Sequence, residues 1–425
     1  MPVRWFETLD LEGIAAKVGT PFFLYHAETL RERARRIRNI APEPGVRARY
    51  AMKACSLHVV LRALREADLW IDAVSGNEVL RAKAAGFPAG AEPPVILLTS
   101  DVFRDNSLDV VLRERILPNV GSPGMLSELA RSGYRGPVGF RVNPGFGHGH
   151  VEACDTGGPS SKHGIWYEDA PRWRHEAERL GLRVTLLHAH VGTGPEFEEF
   201  YRNMHRLADL FESMLDEFPD VEAVNFGGGI PYPYRPGVPE FDLAPFGELL
   251  ARARARCSER TKRDIRVEIE PGRYLVAPAA VLVARVRDVK ETRENEKGPG
   301  HLFTMVDAGF CDLVRPAMYG SYHHMTIPGN PNPPERTAVA GPLCESGDVF
   351  TRDLHELLEP RELPRPRPGD LLVLHDAGAY GEAMSSNYNS IGRAARVWVE
   401  NGASYLAGRR ESFEDLVRTE CFERL

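Results

Sequence analysis

The 425-residue chain contains no run approaching the eighteen or so apolar residues that a membrane-spanning helix needs. Its opening, MPVRWFETLDLEG, carries acidic residues where a secretion signal would need an unbroken apolar block. Cysteine is scarce: six residues, at 55, 154, 257, 311, 344 and 421, spaced neither as a metal knot nor as a disulfide framework. That scatter fits a reducing cytosol, so a cytoplasmic location is expected and any cysteine that matters should matter singly. Positive charge is not in excess either. Sixty acidic residues against 53 basic ones give a net charge of -7, which offers no electrostatic footprint for nucleic acid. The densest basic run, Arg31 to Arg38 (RERARRIR), reads as the polar side of a helix with its charges in water. Neither nucleic acid nor a membrane is an expected partner.

What is present is an ordinary globular composition, 43 % hydrophobic and 27 % charged. The length suits two domains, or a barrel with an appendage. From residue 47 a short apolar run, a polar or glycine-bearing break and a helical stretch recur. Candidate strands are 47–53, 69–74, 94–99, 116–120, 137–143, 184–190, 221–226 and 265–270. Stretches such as LSELARSG and EFYRNMHRLADLFESMLDEF between them repeat apolar residues at three and four. This alternation predicts an α/β fold, a (β/α)8 TIM-like barrel over 30–280. A doubly wound sheet shares the rhythm, but eight units without a nucleotide loop favour the barrel. Beyond Arg273 the texture becomes β-branched runs broken by Gly, Pro and charge, which predicts a β-rich domain over 281–425. Residues 1–29 are expected to join it, through the strand-like PFFLY at 21–25. The runs 292–300 and 326–336 read as exposed loops.

The predicted strands end on unusual residues: Lys53, Asp72, Asn119, Arg141 with Asn143, His190, Gly227 to Gly229, and Glu270. A barrel mouth is where ligand chemistry gathers, because loops converge there from every strand. Most lysines at strand ends are merely solvated, so Lys53 alone argues little. VNFGGGIPYPY, however, puts Gly227, Gly228 and Gly229 where backbone amides can approach an anion closely, unless they serve only a tight turn. IEPGRYL follows the last strand, so Gly272 and Arg273 can complete a phosphate cup while Glu270 points inward. A phosphate cup, a lysine amine and an inward carboxylate are what pyridoxal 5'-phosphate requires. His190 can lie against the ring face. His188 and His190 could instead share a metal, but no acidic partner is nearby and no metal is expected.

Several stretches go further: YAMKAC, DAVSGNE, RVNPGFGHGH, SKHGIW, HVGTG, FGGGIPYPY, EPGR, DAGFCDLVRPAMYGSYHH, GPLCESGDVF and DAGAYG. On these the chain resembles the diaminopimelate decarboxylase family, in the alanine-racemase-like group of pyridoxal-phosphate enzymes that also holds ornithine and arginine decarboxylases. The resemblance implies that Lys53 carries the cofactor, that His190 stacks on it and that Glu270 pairs with the ring nitrogen. It implies Gly227, Gly228, Gly229, Gly272, Arg273 and Tyr380 around the phosphate. Asp72 and Glu78 are placed near the lysine, where carboxylates can tune its proton affinity. Thr193 stands where many relatives have serine, and keeps the hydroxyl.

Cys344, in GPLCESGDVF, reads on its own as a small buried hydrophobe. The resemblance implies instead that it comes from the partner subunit of a head-to-tail homodimer and protonates the carbon that loses CO2. Arg273, Arg315, Tyr319, Glu345 and Tyr380 match substrate-contacting positions. The implied reaction is decarboxylation of meso-2,6-diaminopimelate, at its D centre, to L-lysine, the last step of lysine biosynthesis. A carboxy-lyase for ornithine, arginine or carboxynorspermidine would share the cofactor residues and differ at the distal site. A racemase would need a second base facing Lys53. A catalytically dead binding protein would be expected to lose Lys53 or Cys344, and both are kept.

Overall fold

The computed structural model describes residues 4–41, 45–149, 156–194, 196–296, 298–355 and 357–423; His150 and Cys154 therefore lie outside the described residues. The chain divides into two compact units. One comprises Arg31–Pro233 and Pro239–Leu275, the other Met1–Leu30, Tyr234–Val238 and Val276–Leu425. Strand β1 (Phe22–His26) belongs to the latter.

In the first unit the strands are β2 (Val46–Ala51), β3 (Trp70–Ala73), β4 (Ile96–Ser100), β5 (Leu117–Val120), β6 (Pro137–Asn143), β7 (Ile165–Trp166), β8 (Arg183–His188), β9 (Ala223–Asn225) and β10 (Arg266–Ile269). All pair in parallel, from β2 through β6, then β8 to β10, and β10 pairs again with β2. The sheet is thus barrel-like, with the two-residue β7 attached beside β6. Helices follow the strands for the reason the periodicity gave. Phe197–Met214 buries Phe200, Met204, Leu207, Phe211 and Met214, a stripe at three- and four-residue spacing. Gly76–Ala84 starts on Ser75, whose side chain accepts from the Glu78 amide. Glu78 in turn accepts from the Val74 amide at 2.7 Å, so this carboxylate also serves the helix start.

Alternate residues of the parallel strands share one face of the sheet. Leu97, Leu117, Leu186 and Ala223, from four strands, pack into one apolar cluster there. Beside it Arg49 and Glu268, both fully buried, form a two-pronged ion pair at 2.6 and 2.9 Å. Arg49 also donates to the Pro94 carbonyl at 2.8 Å, and Arg266 adds a second cation to Glu268 at 2.7 Å. Breaking such a pair strands a charge in the interior. Arg49→Met is expected to lower stability by about 3–5 kcal/mol in urea unfolding, because Glu268 stays buried with its main partner gone. Pairing it with Glu268→Leu should recover most of that loss; a single mutant as stable as the parent would mean that the pair contributes nothing.

The second unit is β-rich. Its strands are β1, β11 (Ala280–Glu291), β12 (Leu302–Val306), β13 (Met325–Thr326), β14 (Pro334–Ala340), β15 (Arg361–Pro364), β16 (Leu371–Leu374), β17 (Ala395–Glu400) and β18 (Ala403–Gly408). The sheet runs β15-β14-β12-β11-β1-β17-β18, with β16 joined to β11 and β13. β1 is antiparallel to β11 and parallel to β17. Phe22, Leu24, Val281, Val283, Val373 and Val397 alternate into a shared core with Phe6 and Leu11.

Two sequence expectations need correction. The 326–336 run is not all loop: Thr326 ends β13 and Pro334 opens β14, a strand-start position that does not need a proline N–H. Nor does every arginine of 31–38 lie in water. Arg33 is largely buried, pairs with Glu240 and stacks on the Tyr274 and Tyr232 rings at 4.9 and 5.8 Å.

Candidate active site

The carboxyl ends of the parallel strands gather a cluster of titratable residues in the first unit. Lys53 lies just past β2 in a single 3-10 turn (Met52–Ala54), and its side chain is exposed. The turn ends the strand two residues earlier than expected. Lys53 interacts electrostatically with Asp72, Glu78, Glu270 and His190, which come from three other strands and their loops. Asp72, on β3, is buried and bonded to Thr99, whose hydroxyl accepts from the Asn119 amide at 3.2 Å. The other Asp72 oxygen, Oδ1, has no hydrogen-bond partner among the described residues.

Glu270, one residue past β10, has a donor on each carboxylate oxygen. Asn225 Nδ2 donates to its Oε1 at 2.8 Å and His188 Nε2 meets its Oε2 at 3.2 Å. Burial by itself would raise the Glu270 carboxyl; the His188 hydrogen bond and the Lys53 charge overcome it and hold the group below the ordinary carboxylate range. Asp72 moves the opposite way, raised first by burial and then by the Glu270 charge, against the pull of Lys53. Two carboxyls at one mouth are thereby driven apart, one kept ionised and one inclined to hold its proton.

His190 follows β8. Its Nδ1 accepts the Gly228 amide at 3.2 Å, which leaves the ring hydrogen on Nε2. Burial, then Lys53 and Arg141, lowers its proton affinity well below the ordinary histidine value, so the ring is neutral. The glycine run beyond β9 has no room for side chains. A Cβ on Gly228 would stand 2.5 Å from the Glu270 carbonyl oxygen, and one on Gly229 2.4 Å from that of Gly192. Gly227 and Gly229 also sit at φ +65° and +102°, conformations that side chains resist. A Cβ on Gly272 would stand 3.3 Å from Ala51 and Ala54, and Arg273 follows at the start of a short helix.

Two further motifs anchor the loops here. His148 is buried, with Nδ1 held by the Asn203 amide at 3.0 Å. Asp101, beyond β4, accepts from His163 Nδ1 at 2.6 Å and from the Gly164 amide at 3.1 Å. That ties the SKHG stretch, which follows β6, to the end of β4, two strands away in the sheet.

A model of the family described as "Pyridoxal-dependent decarboxylase, pyridoxal binding domain" matches residues 27–277. The diaminopimelate decarboxylase of Streptomyces coelicolor is 41 % identical over 419 residues, covering 96 % of this chain and 91 % of the relative. That of Escherichia coli K12 is 40 % identical over 418 residues, covering 97 % and 96 %. A crystal structure of diaminopimelate decarboxylase superposes with a TM-score of 0.88 at 39 % identity, over 98 % of this chain and 99 % of that one. The Helicobacter pylori enzyme complexed with L-lysine gives 0.84 at 26 % identity, over 96 % and 98 %. The chain belongs to the diaminopimelate decarboxylase family.

The cofactor of a pyridoxal-dependent decarboxylase fits the residues at this mouth. The side-chain-free glycine run suits a phosphate, the buried Glu270 anion suits a ring N–H, and the exposed Lys53 amine suits an aldehyde carbon. Thr193, in the loop past β8, lies in the same barrel-like unit, while Tyr380, Arg315, Tyr319, Cys344 and Glu345 sit in the β-rich unit. Tyr380 adopts φ +59°, strained for an aromatic residue, in a turn where a Cβ on Gly378 would stand 1.8 Å from the Val276 carbonyl oxygen. Arg315 is buried, donating to His323 Nε2 at 2.9 Å and Ser321 Oγ at 3.2 Å, with its guanidinium 4.7 Å from the Tyr234 ring centre. Tyr319 ends the same one-turn helix. Cys344 is exposed, contrary to the reading of a small buried hydrophobe, as is Glu345 beside it. The physical reason is the turn itself: Asp348 accepts from the Leu343 amide at 2.8 Å and the Phe310 amide at 2.7 Å, drawing those residues inward and leaving 344–346 at the surface.

Sequence reasoning missed Asn225, Thr99 and the attachment of His188 to Glu270. The signal was present, since each is a polar residue inside an otherwise apolar strand, two positions from a motif or facing one. What it lacked was the cross-strand partner.

Proposed function

We propose that this chain decarboxylates meso-2,6-diaminopimelate to L-lysine and CO2, the last step of lysine biosynthesis. The observation that carries the reading is the buried Glu270 anion facing the same mouth as Lys53 and the glycine run, in a chain 40 % identical to a diaminopimelate decarboxylase along nearly its whole length. Eight parallel strands paired in a ring favour a (β/α)8 barrel for the cofactor-binding domain. The residues over 1–29 and 281–425 form the β-rich domain that supplies substrate and interface groups. The active unit is a cytosolic head-to-tail homodimer with shared sites.

Lys53 Nζ holds the cofactor between turnovers and releases it to the substrate amine. Gly227 to Gly229, Gly272, Arg273, Thr193 and Tyr380 surround the phosphate, the glycines by letting the backbone approach it without side chains. His190, neutral, offers a flat face to the ring. Asp72 keeps its proton beside Lys53, and Glu270 holds a proton on the ring nitrogen. When bound, pyridoxal phosphate supplies an electron sink for the pair released as the Cα–carboxylate bond breaks. Cys344 Sγ, from the partner subunit, gives a proton to Cα. Arg315 and Glu345, with Tyr319, Arg273 and Tyr380, read the second amino-acid end of the substrate, a cation for its carboxylate and an anion for its ammonium.

The purified protein loaded with pyridoxal phosphate should release CO2 from meso-diaminopimelate and form only L-lysine. Ornithine, arginine and lysine, offered separately, should be at least about 100-fold poorer, the loss of one desolvated charge pairing. Equal release from ornithine or arginine would overturn the substrate assignment.

A further inference from the structure

Two fully enclosed side chains touch Glu270, and the roles above use neither. His188 is the last residue of β8 and 1 % exposed; Asn225 is the last of β9 and 0 % exposed. They are register partners across those strands, so both project to the face that carries Glu270. We infer that His188 and Asn225 are positioning residues, which hold the Glu270 carboxylate ionised and fix the plane in which it meets the cofactor ring nitrogen. The inference rests on the Glu270 role proposed above.

The terminal torsion of a glutamate is broad, so the carboxylate plane has to be set from outside. Here each oxygen has its own donor, Asn225 Nδ2 on Oε1 at 2.8 Å and His188 Nε2 on Oε2 at 3.2 Å. Two donors from two strands oppose both rotation and tilt. A carboxylate has about four acceptor positions, so one on each oxygen is left for a further donor. The arrangement also counters the cost of enclosing an anion, which is otherwise met by taking up a proton.

Asn225 does more than donate. Its Oδ1 accepts the Gly227 amide at 2.8 Å, and the Glu270 amide donates to the Gly227 carbonyl at 2.7 Å. Gly227 N–H can only donate and the carboxylate can only accept, so the amide group fits one way round. One side chain therefore sets both the ring-nitrogen anion and the first residue of the phosphate loop. The same Nδ2 stands 3.4 Å from Glu268 Oε2, between two carboxylates that would otherwise repel directly. An aspartate at 225 could still bind Gly227 but would add a third negative charge. No other residue type of that size meets both demands.

The test uses holoenzyme loaded with pyridoxal phosphate labelled with 15N in the ring, comparing the parent with His188→Leu, His188→Gln, Asn225→Leu and Glu270→Gln. The ring-nitrogen chemical shift reports whether that atom carries a proton; kcat and KM are measured alongside. His188→Leu and Asn225→Leu should move the shift toward the unprotonated value. Each should lower kcat about 10- to 100-fold, the loss of one hydrogen bond to a charged group, with KM within about threefold. His188→Gln, whose amide can put a donor near the Nε2 position, should restore the parent shift and most of the rate. If the leucine variants do not fold, His188→Asn, whose donor falls short of that position, replaces them beside His188→Gln, and equal shifts in the two overturn the inference. Parent-like shift and rate in both leucine variants, with Glu270→Gln altered, would overturn the positioning role alone. A parent-like shift in Glu270→Gln would remove the Glu270 role and this inference with it.

Discussion

Homodimers of Lys53→Ala and of Cys344→Ala should each be nearly inactive, yet regain activity when their subunits are mixed. Removing the lysine takes away the amine that holds and recaptures the cofactor; removing the cysteine takes away the proton for Cα. Either loss should reach on the order of 1000-fold, about 4 kcal/mol in the barrier. Lys53 belongs to the barrel-like unit and the exposed Cys344 to the β-rich unit. If they meet across a subunit boundary, a mixed dimer has one site with both residues and one with neither. Random pairing makes about half the dimers mixed, so activity should return to roughly a quarter of the parent value. No recovery after proven subunit exchange would put both residues in one chain's site. Borohydride reduction of the parent, followed by peptide mapping, should find the pyridoxyl group on Lys53. Label on any other lysine would end the assignment.

Glu270→Gln should keep the cofactor but lose most turnover, by about 30- to 1000-fold, or roughly 2–4 kcal/mol. The amide has nearly the size of the carboxylate, and the glycine run and Lys53 are untouched, so binding of the cofactor should survive. The charge that keeps a proton on the ring nitrogen does not. In this structure that charge is maintained against burial by the His188 hydrogen bond and the Lys53 charge, which a neutral side chain cannot exploit. The decrease should appear in kcat far more than in KM, because the proton matters as electrons leave the substrate. A mutant within twofold of the parent would show that the carboxylate has no such role.

Local pattern was enough to reveal much of this protein. Each strand of the barrel-like sheet was legible because apolar runs bounded by polar breaks are a property of a few adjacent residues. The eight predicted runs overlap strands β2 to β6 and β8 to β10, with no end off by more than two residues. Lys53, Asp72, Gly227 to Gly229 and Glu270 were legible for a related reason: chemistry-bearing residues at strand ends stand out against an apolar background. The family motifs carried the rest of the site assignment. Tertiary structure decided what those groups are. VEIE offers two glutamates on one face, two residues apart, and only the fold gives Glu268 to Arg49, 219 positions away, and Glu270 to His188 and Asn225. Asp72 and Glu270 are the same kind of acid in sequence, yet burial and neighbours drawn from distant strands raise one and lower the other. Glu78 was expected as a tuner of the lysine, and also turns out to serve its own helix start. Ionisation and hydrogen-bond partnership depend on distances across the sheet, which periodicity along the chain does not encode.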